Sequence, residues 1–180
     1  MRDITQENLH NVLHYDPETG IFRWKERQLP EFATSQYEFL IRVWNSRWAG
    51  QIVGSPDRNG HIYITHLGSK HAAHRLAWLY VHGEPVPMCV DHINGIYADN
   101  RISNLRAATR HENAQNSRLR KDNTSGHKGV SRCRKTQRWI AQITAHGYIR
   151  QLGRFDSIED AIAARKEAEA VHFGEFSRKD

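Results

Sequence analysis

The residues in this sequence best suited to chemistry fall in one short stretch. Asp91 and His92 are adjacent, Asn104 follows after a loop rich in Asn and Gly, and Asn113 stands beyond Thr109 and Glu112. A carboxylate and an amide oxygen, Asp91 with Asn113, form a hard oxygen pair suited to Mg²⁺ or Mn²⁺, one ion per site. In an extended strand His92 points opposite to Asp91, and an imidazole that titrates near neutrality can take a proton from water. An activated water beside an ion that absorbs charge is what hydrolysis of a phosphodiester requires.

Local elements must bring these groups together. Met88-Cys89-Val90 reads as a short strand, extended by the preceding Pro85 and Pro87. Leu105–Ala108 reads as a second strand, and Thr109-x-x-Glu112 is a capping box that opens a helix. Asn113 then falls early on that helix, with Asn116 on the same face. Two strands feeding one helix can place Asp91 near Asn113. His71 and His74 read as packing or surface residues on an earlier helix, and His111 as a solvated position.

The string Val90-Asp91-His92-Ile93-Asn94-Gly95, then Asp99 through Arg106, then Glu112-Asn113-Ala114-Gln115-Asn116 resembles the HNH motif of phage and intron-encoded homing endonucleases. The resemblance implies His92 as general base, Asp91 and Asn113 as metal ligands, and Asn104 bracing the loop and the orientation of the base. Asn113 replaces the motif's final His, which favours Mg²⁺ over a zinc-dependent reading. The Tyr15–Gly20 turn and His74-Arg75-Leu76-Ala77-Trp78 also resemble these proteins.

Upstream of the motif, Thr5–Tyr15 is predicted as a helix, Ile21–Trp24 as a strand, Gly60–Leu67 as an alternating strand and His71–His82 as a helix stopped by Gly83. Residues 29–50 hold many aromatics without a clear period, and no element is predicted there. Downstream, Lys121–Gly126 is polar and turn-rich and marks a domain boundary. Lys128–Cys133, Arg138–Ala145 and Tyr148–Phe155 then read as three strands. A helix capped by Ser157 follows, burying Ile158, Ala161, Ile162, Ala168 and Val171 and stopped by Gly174. The expected fold class is α+β: an HNH nuclease region over 1–120 with its ββα-metal core at about 86–119, and a second domain over 121–180.

Charge separates the two halves. Between Arg101 and Arg154 thirteen Lys and Arg face only Glu112 and Asp122, so that span carries +11 while the whole chain carries +6. Such a concentration is the footprint of a polyanion partner, and the partner expected is double-stranded DNA. Gly126–Val130, Trp139–Ile143, Leu152–Phe155 and the Ala-rich helix resemble the AP2 domain, a three-stranded antiparallel sheet packed on one helix whose sheet enters the major groove. Arg118, Arg120, Lys121, Lys128, Arg132, Arg134, Lys135, Arg138, Arg150 and Arg154 are the expected phosphate contacts, and Gln142, Thr144 and Gln151 the candidate base readers.

No apolar run is long enough for a transmembrane helix, and the N-terminus lacks an apolar signal core, so a cytoplasmic, phage- or mobile-element-encoded protein is expected, with no small-molecule cofactor. Two cysteines, Cys89 and Cys133, argue against a disulfide framework, with a single bridge left open. Two other classes stay open: a DNA-binding regulator that no longer cuts, and a structure-selective phage nuclease.

Overall fold

The computed structural model describes residues 4–66, 68–117, 119, 122–145 and 147–176. By its contacts the chain divides into two units: residues up to His92 with Ile96–Ala107, and Ile93–Gly95 with the chain from Ala108 onward. Both mix helices with small antiparallel sheets, an α+β composition.

In the first unit, the Thr5 hydroxyl accepts from Asn8 N and caps α1 (Gln6–Val12). The expected helix to Tyr15 stops early. Leu13 and Tyr15 are buried about an exposed His14, a period of two that suits β1 (Leu13–Asp16). β1 pairs with β2 (Ile21–Trp24) across a turn in which Asp16 accepts from Glu18 N and Thr19 Oγ1. Residues left unassigned by sequence form α2 (Ser35–Trp48), capped by Thr34, with Ile41 its one buried residue. β3 (Ser55–Pro56), β4 (Ile62–His66) and β5 (Ser69–Ala72) make a sheet in that order. The helix expected from His71 therefore begins at Ala73, as α3 (Ala73–His82), because His71 and Ala72 pair with Ile64 and Tyr63. Leu9, Leu13, Tyr15, Phe22, Ile64, Leu76 and Leu79 share one core with Val90 and Leu105. These last two anchor β6 (Cys89–His92) and β7 (Leu105–Ala108), which pair as a two-stranded sheet. Met88, expected in that strand, is 71% exposed outside it.

In the second unit, α4 (Arg110–Gln115) carries the expected capping box in full: Thr109 Oγ1 accepts from Glu112 N, and the Glu112 carboxylate accepts from Thr109 N. β8 (Val130–Arg132), β9 (Trp139–Ala145) and β10 (Tyr148–Phe155) form an antiparallel sheet with β9 in the centre. Its first strand is shorter than the expected Lys128–Cys133. Helix α5 (Ile158–Phe173), capped by Ser157, packs on one face of this sheet through Ala161, Ala168 and Phe173 against Val130, Ala141 and Ile143. Val171, expected on the buried side, is 75% exposed. Arg165 takes a buried place instead, donating to the Gln142 carbonyl at 2.6 Å and pairing with Glu169 at 2.8 Å.

Both cysteines are free thiols. Among the described residues no helix is long and apolar enough to cross a membrane.

Candidate active site

Strand β6 delivers Asp91 and His92 to different surroundings, as alternation requires. Asp91 is 5% exposed and its carboxylate accepts twice from Arg106 on β7, at 2.8 and 3.0 Å. His92 is 3% exposed, and its Nε2 lies 3.2 Å from Asn100 Oδ1. An amide oxygen only accepts, so Nε2 carries the proton and the lone pair lies on Nδ1. Burial holds the His92 imidazole below its usual pKa, with the Asn100 hydrogen bond opposing this in part and repulsion from His61 adding to it. The ring is therefore neutral at pH 7, the state a base requires.

The loop between β6 and β7 holds Asn100. Asn104, at the end of a 3-10 turn over Ile102–Asn104, is 7% exposed and donates through Nδ2 to Asp99 O at 2.8 Å. The group facing His92 Nε2 is Asn100, four residues earlier, which sequence reasoning quoted in the motif without assigning it a role. The N-terminal hairpin closes the loop from outside. Tyr15 Oη donates to the Asn100 carbonyl at 2.7 Å, and Ile102 N donates to Pro17 O at 3.3 Å. At Gly20 (φ +72°) an added Cβ would stand 2.5 Å from Arg101 N.

Two further histidines join His92. His61, just ahead of β4, and His74, on α3, offer with His92 three ligand nitrogens that lie within 4.8 Å of one another. Ring centroids are 5.0 Å apart for His74 and His92, 5.7 Å for His61 and His74 and 6.0 Å for His61 and His92. Tyr97 stacks on His61 at 4.0 Å and 12°. His74 was read from sequence as a packing or surface residue and His61 drew no reading. They come together through tertiary pairing of β4 and α3, for which no local signal exists.

Burial pushes the His74 imidazole down to about 3, with repulsion from His92, His61 and Arg75 adding to it. In the unfolded chain this ring protonates near 6.5, so the folded state binds fewer protons below that pH. Stability contributed by His74 is whole above pH 6.5 and is lost as pH falls toward 3, at up to about 1.4 kcal/mol per pH unit. Urea unfolding of the metal-free protein between pH 7 and pH 4.5 is expected to show that slope, and His74→Phe to flatten it. An unchanged slope in the variant would exclude His74 as its source.

In the second unit Asn113 is exposed on α4. Of the expected DNA contacts, Arg118, Arg120 and Lys121 lie outside the described residues. Cross-strand partners share a face, and the pairs Gln142–Gln151, Thr144–Ile149, Ile140–Arg154 and Ile140–Ser131 put Gln142, Thr144, Gln151 and Arg154 together opposite α5. A register shift between Gln151 and Gly153 changes the phase by one residue, so Arg154 joins that face. By register Arg132 and Arg150 belong to the other face, while Arg134 and Lys135 are exposed in the β8–β9 turn. Arg138 pairs with Asp156 at 2.8 Å. The Lys128 ammonium donates to the carbonyls of Ala114, Gln115 and Ser117 at 3.0–3.2 Å, at the C-terminal end of α4.

Residues 71–115, the stretch that includes Asp91, His92 and the Asn-rich loop after them, match the HNH endonuclease family model. The chain belongs to the same family as protein 3.8 of Escherichia phage T7, to which it is 32% identical over 107 residues, 58% of this chain and 87% of that protein. No solved structure matches the chain. The HNH match points to a nuclease acting on DNA, which hydrolyses phosphodiester bonds, and the phage relative fits it.

Proposed function

We propose that this protein is a metal-dependent endonuclease of duplex DNA, of the homing type carried by phages and mobile elements and acting in the host cytoplasm. His92 serves as general base, Asn104 braces its loop, and Asp91 and Asn113 hold one Mg²⁺ or Mn²⁺ ion. The observation that carries this reading is the buried His92 beside Asp91, its Nε2 3.2 Å from Asn100 Oδ1, within the stretch that matches the HNH model.

The donor set fits a hard ion: Asp91 supplies a carboxylate and Asn113 an exposed amide oxygen. When bound, such an ion supplies Lewis-acid relief of charge on the phosphate and the leaving 3′ oxygen. His92 Nδ1 takes a proton from water, the hydroxide attacks phosphorus, and the bond to the 3′ oxygen breaks; that oxygen takes a proton from solvent, leaving a 5′-phosphate and a 3′-hydroxyl. Asn100 keeps the accepting nitrogen in place by fixing the tautomer. Arg106 pairs with Asp91 across the two strands.

The C-terminal sheet, read as an AP2-like module, would hold the duplex. Gln142, Thr144, Gln151 and Arg154 share its uncovered face and suit base and phosphate contacts, with Arg118, Arg120, Lys121, Arg132, Arg134, Lys135, Arg138 and Arg150 adding positive charge around it. Lys128 is the weakest of these contacts, because its ammonium already serves the end of α4.

Incubation of supercoiled plasmid with the protein and Mg²⁺ tests the reading. Nicked or linear product that disappears with EDTA, and falls in Asn113→Ala, is the expected result. Retarded DNA that stays intact with Mg²⁺ and with Mn²⁺ would reject the nuclease in favour of a non-cleaving regulator.

A further inference from the structure

The three-histidine cluster differs in chemistry from the Asp91 and Asn113 oxygen pair. Its donors are imidazole nitrogens on three separate elements: the residue ahead of β4, the first turn of α3, and β6. Imidazole suits borderline transition ions, whereas carboxylate and amide oxygens suit Mg²⁺. A Zn²⁺ ion with nitrogens at about 2.1 Å in a tetrahedral arrangement needs its ligand atoms about 3.4 Å apart. The present nitrogens lie within 4.8 Å of one another, so the rings draw closer on binding. His74 Nδ1 is buried with no hydrogen-bond partner among the described residues, a polar atom in want of one. The aromatic face of Tyr97 holds the His61 ring by stacking, and Asn100 holds the His92 ring with its lone pair on the other nitrogen. Rings already held this way lose little freedom on binding.

We infer that His61, His74 and His92 form a site for one Zn²⁺-class ion, and that an ion bound there blocks the nuclease by taking the His92 lone pair. Three protein nitrogens leave a fourth position for water. A nitrogen that holds the ion cannot also accept a proton, so the soft-metal site and the base are mutually exclusive uses of one atom. Zinc is then an antagonist of Mg²⁺-dependent cleavage without competing for the oxygen pair. The binding half of the inference stands alone; the blocking half rests on the proposed nuclease reading.

The test uses the full chain without DNA, then with it. One equivalent of Zn²⁺ added to ¹⁵N-histidine-labelled protein is expected to shift three of its twelve histidine rings. Co²⁺ is expected to give a tetrahedral absorption spectrum at one ion per chain. His61→Phe, which keeps the stack on Tyr97, and His74→Gln should each weaken Co²⁺ binding at least tenfold, while the exposed His14→Gln should not. Shifts scattered over other histidines, or Co²⁺ that stays octahedral, would overturn the site, and neither readout depends on a variant folding. In the plasmid assay with excess Mg²⁺, stoichiometric Zn²⁺ should cut the rate at least tenfold, with recovery on adding a zinc-selective chelator. If the three rings bind zinc while cleavage continues undiminished, the site stands and the assignment of His92 as base fails. If the plasmid is never cut, the nuclease reading fails and the binding result still decides the site.

Discussion

His92→Ala is expected to slow Mg²⁺-dependent plasmid cleavage by about 10²–10⁴-fold, the range that a positioned general base contributes. The loss should fall on the chemical step: retardation of duplex DNA by the variant stays near wild type, because the proposed DNA contacts and the uncovered sheet face belong to the other unit. The pH profile gives a second, independent signature. A base works only when neutral, so the rate is high above its pKa and declines as pH falls through it. Burial sets the His92 value below the ordinary 6.5, so wild-type activity should hold through pH 6.5 and decline only in more acidic buffer. Asn100→Ala removes the hydrogen bond that opposes the depression, so its acid limb should move to still lower pH, alongside a slower rate from the misdirected ring. A His92→Ala enzyme that cuts within threefold of wild type would end the assignment.

Gly129→Val is expected to cost about 2–5 kcal/mol of stability, a large share of what holds a marginal domain folded. Gly129 sits at φ +72°, a conformation costing a branched residue about 1–2 kcal/mol. A Cβ there would run into the Gln142 carbonyl oxygen and stand 2.9 Å from the Arg165 guanidinium. The Gln142 carbonyl is the acceptor for Arg165, and Gln142 N donates to Gly129 O at 2.8 Å. The added side chain must therefore displace either the central strand or a nearly buried arginine, an overpacking cost of about 1–3 kcal/mol. Urea unfolding followed by circular dichroism measures this, and duplex retardation should weaken with it. A midpoint within the error of wild type would mean that the glycine is dispensable.

What could be read from the sequence was what is encoded locally. The capping box at Thr109 and Glu112 and the cap at Ser157 each need only three residues of spacing. β9 and β10 announce themselves by alternation about Ala141 and Ile143. Helix α2 gave no such pattern, because Phe39 and Leu40 are 65% and 55% exposed and Ile41 alone is buried, so its apolar residues trace no face. The strand at Ser69–Ala72 was absorbed into the helix behind it, since two apolar alanines continue a helical stripe as well as they fit a strand edge. The Asp91–His92 pair was legible as chemistry; the company it keeps was not. His61 and His74 reach His92 only once β4 and α3 share a core, and the pairing of Arg106 with Asp91 has no local signal either. Formal charge does not reveal which cations the fold uses on its own carbonyls and carboxylates, as it does with Lys128 and Arg138.

The hairpin of β1 and β2 bears on how portable the nuclease motif is. The matched stretch of residues 71–115 supplies its own strands and loop, yet the backbone carrying Asn100 is fastened to Tyr15 and Pro17 from the far end of the chain. A cassette cut at residue 71 and grafted elsewhere would carry the reactive side chains but not the clasp that fixes the distance between Asn100 and His92. Inheritance of such a motif therefore has to be en bloc with the N-terminal hairpin, and a shortened version would require a new clasp to be built in its place.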